Sequence, residues 1–147
     1  MKTINSYQTI ILILGLLLGC LNTHAATDCT AVTEISQIEC ESLLQLYHST
    51  DGANWINNNG WNITNTPCSW FGVTCENNSV VSIIFFDFPQ YNNNLVGTIP
   101  DFTSLLNLQV LNLEYNELTG EIPDFSNLPD LPALHLKNNK LTGSIPI

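Results

Sequence analysis

The sequence predicts a short α/β repeat solenoid of about two and a half coils, with a disulfide-stapled helical and aromatic cap at its N-terminal end. Three observations predict it. The C-terminal half repeats itself with a period of 23 residues, four cysteines stand ahead of the repeats at 29, 40, 68 and 75, and all three tryptophans fall between Cys40 and Cys75. Taken in order, the 147 residues divide into a leader (1–25), a cap (26–80) and the repeats (81–147), which comprise an irregular first strand over about 81–94, full coils at 95–117 and 118–140, and a third begun at 141–147.

The leader has Lys2, then nine apolar residues from Ile10 to Leu18, then small residues up to Thr23-His24-Ala25. Such a run is too short to span a bilayer, which needs about 20 residues, and reads as a secretory signal cut after Ala25. Leu17-Leu18-Gly19-Cys20 offers a second cleavage reading. It resembles a bacterial lipobox, in which Cys20 becomes a lipidated N-terminus and anchors the chain. Cleavage after Ala25 leaves 13 acids against Lys137 and Lys140, a net charge of −11, and four cysteines. So acidic a chain excludes nucleic acid, whose phosphates need clustered Lys and Arg, and adsorption to anionic lipid.

In the cap, Ser36-Gln37-Ile38-Glu39 fits a capping box. Apolar residues at 40, 43, 44, 46 and 47 then form one helical face, and Ser49-Thr50-Asp51-Gly52 ends it. Trp55, Trp61, Trp70 and Phe71 follow among asparagines. They supply aromatic mass to cover the end of a solenoid, which otherwise exposes leucines and strand edges. Four cysteines in an exported chain point to disulfides and allow three pairings. The local pairs Cys29–Cys40 and Cys68–Cys75 close short loops and are expected. The spacing carries no CxxC, which excludes a zinc site, and no metal or cofactor is expected.

In the repeats, Leu95–Glu117 and Leu118–Lys140 share 11 of 23 positions. The frame Leu108, Leu111, Leu113, Asn116, Leu118 returns as Leu131, Leu134, Leu136, Asn139, Leu141, which is the pattern of a leucine-rich repeat. Leu111 and Leu113 alternate with polar neighbours and read as strand, with both leucines inward and Val110, Asn112 and Glu114 outward. Asn93, Asn116 and Asn139 turn the chain at 23-residue intervals. Their amides are expected to satisfy backbone groups in each bend as a buried ladder. Gly97, Gly120 and Gly143 read as tight-turn residues. One coil cannot bury its own apolar face, so neighbours must stack. For the first coil, the strand VVSIIFFDF (80–88) is read with Ile84 and Phe86 inward and about four extra residues bulging near Pro89-Gln90-Tyr91.

The stretches "PCSWFGVTC" (67–75), "LYHSTDGANW" followed by "GW", and the pair LTGEIP and LTGSIP resemble secreted leucine-rich repeat proteins with a plant-type N-terminal cap. That group includes plant receptor-kinase ectodomains, polygalacturonase-inhibiting proteins and secreted repeat proteins of bacteria and protists. The resemblance covers about Cys29 to Ile147. It departs from the plant type in a period of 23 against the usual 24 or so. It implies a secreted or cell-surface module that binds a protein, peptide or glycan on its concave strand face. On this chain that face is Val110, Asn112, Glu114 and Tyr115 on one coil and Ala133, His135, Lys137 and Asn138 on the next. The 23-residue spacing sets Asn112 beside His135, Glu114 beside Lys137 and Glu117 beside Lys140.

Two other readings remain open at this stage: a fragment or capping piece of a longer leucine-rich repeat receptor-like protein, and an inhibitor of cell-wall-degrading enzymes. No enzymatic activity is expected. Glu114 and His135 could form an acid–base pair, but they lack a third orienting group and a cleft, and no hydrolase, metalloprotease or phosphate-loop motif occurs. Asn62-Ile63-Thr64 and Asn77-Asn78-Ser79 match the N-glycosylation sequon.

Overall fold

The computed structural model describes residues 25–85 and 92–144. The leader up to His24, with Cys20 of the lipobox reading, and the predicted bulge near 89–91 fall outside these residues. Among the described residues, one α-helix, α1 (Gln37–Ser49), and seven strands follow in chain order: β1 (Val73–Glu76), β2 (Ser79–Ile84), β3 (Val96–Thr98), β4 (Val110–Asn112), β5 (Glu117–Glu121), β6 (Ala133–His135) and β7 (Lys140–Thr142).

Helix α1 starts as the capping box predicts. Ser36 Oγ accepts the Glu39 N–H, and Glu39 Oε2 accepts the Ser36 N–H at 3.1 Å. The other oxygen of this buried carboxylate accepts the Val80 N–H at 3.1 Å, so one side chain both caps α1 and fastens it to β2. Leu43 and Leu46 are fully buried, and Leu44 and Tyr47 pack on the same core. Trp55, Trp61, Trp70 and Phe85 form a cluster with ring centroids 4.7–5.6 Å apart. Each indole N–H has an acceptor at 2.9 Å: Thr50 O, Phe71 O and Thr64 Oγ1 respectively. The rings are therefore buried without stranding a polar group, the usual condition for placing tryptophan in a core. Cys29 pairs with Cys40 and Cys68 with Cys75. Closing loops of these lengths removes about 2.5–3 kcal/mol of unfolded-chain entropy per bridge.

The strands form two sheets. The first has the order β1-β2-β4-β6, with β1 antiparallel to β2 and the rest parallel. The β1–β2 hairpin turns on Asn77 and Asn78 at φ 49° and 62°, the two left-handed residues of a type I′ turn. The second sheet, β3-β5-β7, is parallel throughout. It was not expected. It is made of the L-x-G-x-I-P segments, so Gly97 and Gly120 lie inside strands and not in turns. Each bend between the sheets holds a ladder asparagine.

The first coil corrects the predicted phase. Ile83 pairs in register with Leu111, and Ile83 and Phe85 are fully buried while Ile84 is 38% exposed. Ile83 and Phe85, not Ile84 and Phe86, thus take the paired-leucine positions. A slip of one residue exchanges the two faces of a strand, and Ser82, the one polar residue of the strand's centre, marks the outward phase. Ile83 lies 28 residues before Leu111, against 23 from Leu111 to Leu134. The insertion in the first coil is therefore five residues.

The asparagine ladder joins coils as well as bends. Asn116 Oδ1 accepts the N–H groups of Asn93 and Leu95 on the preceding coil, at 3.2 and 2.9 Å, while its Nδ2 donates to Leu113 O and Glu114 O. Asn139 Oδ1 likewise accepts from Leu118 N–H at 3.1 Å, and its Nδ2 donates to Leu113 O and Leu136 O. Asn93 repeats the arrangement toward the cap, with Asn57 N–H as donor and Asn57 O as acceptor.

Two stability measurements test this construction. Asn116→Ala leaves the Asn93 and Leu95 N–H groups and the Glu114 carbonyl without the Asn116 amide, while Leu113 O keeps the Asn139 amide; the cost is about 1–3 kcal/mol for each group left buried without a partner. This variant is expected to lower the urea midpoint further than Asn139→Ala, whose site is half-buried. Gly97 (φ 135°) runs so close to α1 that an added Cβ would lie 2.0 Å from Ser49 O, whereas at Gly120 (φ 79°) it would meet only a Thr98 methyl at 3.2 Å. Gly120→Ala is expected to cost about 1–2 kcal/mol of backbone strain, and Gly97→Ala distinctly more, because β3 must leave the Thr50 carbonyl to which the Val96 N–H is bonded. Equal melting shifts for the two variants would contradict the close approach.

Candidate functional site

The outward face of the first sheet is built by register. Ser82, Val110 and Ala133 stand in one row across β2, β4 and β6, and Ile84, Asn112 and His135 in the next. Thr74 of β1 extends the first row, being paired with Ser82. Behind these rows, Ile83, Leu111, Phe85 and Leu113 are fully buried, so the outward residues sit on a fixed base. Leu134 holds the same inward position one coil on and is 37% exposed, since no described coil packs over it.

The residues expected on this face are brought together as follows. Val110 and Asn112 are half-exposed on β4, and Ala133 and His135 lie beside them on β6. The pairing continues beyond the strands, because the N–H groups of Leu113, Tyr115 and Asn116 donate to His135 O, Lys137 O and Asn138 O. Glu114, Tyr115, Lys137 and Asn138 therefore continue the face toward the bend. Asn112 Oδ1 accepts the Glu114 N–H at 3.0 Å and holds the chain's exit from β4. Ser82 and Ile84 were missed, and the misread phase of β2 is the reason.

The charges differ from expectation in one contact. Glu114 Oε1 lies 3.9 Å from His135 Nδ1. Lys137, its 23-spaced neighbour, forms no ion pair among the described residues. His135 leans from its row toward Glu114, which makes this a diagonal contact between coils. Lys140 does pair with Glu117, as the spacing predicts, but both side chains are largely exposed, and such pairs contribute about 0–1 kcal/mol. Elsewhere, Asp28 is held below its ordinary value of 3.8 by the Thr30 hydroxyl and backbone N–H. Asp124 is held below it by the Ser126 backbone N–H and hydroxyl. Both carboxyls are fully exposed and mark local turns.

Tyr115 occupies the left-handed region at φ 55° and is 39% exposed. Asn138, at the same place one coil later, has φ 57°. Asparagine tolerates this conformation and a bulky aromatic residue does so less readily. Among the described residues, no group of three His, Cys, Asp or Glu side chains is placed to hold a metal ion, and no helix is long and apolar enough to cross a membrane.

Comparison with known proteins agrees with this geometry. The family model described as Leucine Rich Repeat matches residues 107–128. A probable leucine-rich repeat receptor-like protein kinase of Arabidopsis thaliana is 37% identical over 81 residues, 55% of this chain and 11% of the kinase. The chain thus spans about a tenth of the length of that relative. Among solved structures, the BIR2 ectodomain from Arabidopsis thaliana aligns with a TM-score of 0.59 and 34% identity over 83% of this chain and 60% of its own. A chain of the BIR3–SERK2 complex from the same plant aligns with a TM-score of 0.54 and 32% identity over 76% of this chain and 60% of its own.

Replacing Tyr115 with Asn gives both coils the same residue at the left-handed position. Tyr115→Asn is expected to raise stability by about 0.5–1 kcal/mol, read as a higher urea midpoint at unchanged slope. A lower midpoint would mean that contacts of the ring outweigh the backbone relief.

Proposed function

We propose that this chain, a plant-type leucine-rich repeat protein, is an extracellular recognition module that binds a protein partner through the outward face of its first sheet. The observation that carries the reading is the pair of rows crossing three consecutive coils. The apolar Ile84 and Val110 stand beside Glu114, His135 and Lys137, over the buried Ile83, Phe85, Leu111 and Leu113. A rigid base beneath half-exposed apolar and aromatic side chains is the arrangement on which interface hot spots form. Tyr115 is the aromatic anchor, and Ile84 lies at the cap end of the same face. The two disulfides and the receptor ectodomains that the chain resembles support an extracellular setting. The BIR3–SERK2 complex supports a protein as the partner.

The curated relatives are much longer than the matched region, so the same face can equally serve as the first coils of a receptor-like protein. It would also be the surface used by an inhibitor of cell-wall-degrading enzymes. One binding experiment covers all three. The oxidised chain is immobilised and exposed to purified receptor-kinase ectodomains and to a pectinase. A partner from either set is expected to lose about tenfold or more in affinity against Ile84→Glu and against Tyr115→Ala. Binding unchanged by both substitutions would move the interface elsewhere.

A further inference from the structure

Beside the face just described, the flank on which the strands begin carries a second linear feature. Ser79, Asn107 and Asp130 occupy one repeat position on three successive coils, and Val81, Gln109 and Pro132 occupy another, once the five-residue insertion is allowed for. Two adjoining depressions run along these rows and share Gln109. The first, about 150 Å³, is lined also by Glu76, Asn77, Ser79, Val81 and Asn107. The second, about 440 Å³, is lined also by Pro129, Asp130 and Pro132. Asn107 Nδ2 donates to Ser79 Oγ at 3.1 Å, which fixes the first two coils of the row.

We propose that this flank groove binds a linear, neutral oligosaccharide, with sugar rings laid along the stack of coils. Three features select that ligand. Side-chain amides of Asn77, Asn107 and Gln109 both donate and accept, as vicinal hydroxyls require. Neighbouring strands lie about 4.8 Å apart, close to the advance of one β-linked hexose, so successive rings meet the same repeat position on successive coils. The groove also crosses the strands where their main-chain groups are already paired, the Gln109 N–H being bonded to Val81 O at 2.8 Å. A peptide that binds by strand addition needs a free edge, and this groove offers side chains in its place. Neutrality follows from the lining. Glu76 and Asp130 are its only charges, and uronate chains are repelled.

The test is a nitrogen-edited NMR titration of the oxidised chain with four probes: β-1,4-linked glucose and mannose tetrasaccharides, tetragalacturonate, and tetralysine. One of the neutral tetrasaccharides is expected to shift the side-chain amides of Asn107 and Gln109, with a dissociation constant of about 1 mM or tighter. The double variant Asn107→Ala/Gln109→Ala, followed through the backbone amides of Ser79 and Val81, is expected to weaken it about tenfold, while Gln45→Ala on the exposed side of α1 leaves it unchanged. Both altered residues are exposed, so a retained melting midpoint separates lost binding from lost fold. The proposal is overturned if neither neutral sugar moves these amides. It is overturned equally if tetragalacturonate binds as well as they do, or if tetralysine alone saturates them, which would give the groove to a basic peptide.

Discussion

The amide of Asn116 belongs to two coils at once, and the order of the molecule follows from that. Its oxygen takes two N–H groups of the coil before it, and its nitrogen serves two carbonyls of its own. Only a side chain with both a donor and an acceptor can do this. Aspartate would supply no donor and would bury a charge, and leucine would leave the Asn93 and Leu95 N–H groups and the Glu114 carbonyl without this amide. The bend it occupies lies between a strand of the first sheet and a strand of the second. The same rung therefore fixes the stacking of both sheets, and with it the cover that each coil gives to the leucines of its neighbour.

A ladder needs a first rung, and the cap supplies it. Asn57 presents a main-chain N–H and C=O to the side chain of Asn93, as one repeat would to the next, and the Ile56 N–H donates to Asn93 O. The cap closes both sheets by different means. β1 pairs antiparallel along β2, while the end of α1 offers the Thr50 carbonyl to β3. Unpaired strand edges invite association; at this end the short hairpin strand β1 becomes the outer strand of the first sheet, and α1 covers the start of β3 in the second. The closure at β3 depends on a glycine, because the backbone approaches α1 too nearly for any Cβ. The aromatic cluster then fills the space between α1 and the first coil.

What could be read from the sequence was whatever repeats or caps locally. Helix α1, its start at Ser36 and its buried face follow from spacing alone, and the inward phase of β4 follows from two leucines among polar neighbours. Two things escaped. The second sheet escaped because β3 and β5 carry glycine, threonine and glutamate at exposed positions. Their strand character comes from pairing with each other across coils and not from any alternating apolar pattern. The phase of β2 escaped because VVSIIFF is apolar on both faces. The β1 hairpin and the pairing with β4 settle its register, and both are tertiary. On the functional side, the outward positions on β4 and β6 were legible once the repeat was found, whereas Ser82 and Ile84 on β2 were not. The diagonal Glu114–His135 contact was not, since it depends on how far a side chain leans.

The two sheets differ in a way that decides where recognition can reside. In the first, β4 and β6 partners are 23 residues apart, and β2 and β4 partners 28 apart across the five-residue insertion, so each position meets its own equivalent on the next coil. In the second, partners are 21 apart: Thr98 pairs with Thr119, and Thr119 with Lys140. A shift of two residues keeps every side chain on its face, but it sets unlike repeat positions side by side. Rows of equivalent side chains, one per coil at strand spacing, therefore arise on the first sheet and on the flank where its strands begin. Such rows can read an extended ligand unit by unit, and adding a coil lengthens them without altering what is already there. On the second sheet a change at one repeat position alters two different neighbourhoods, which suits holding coils together better than varying what they bind.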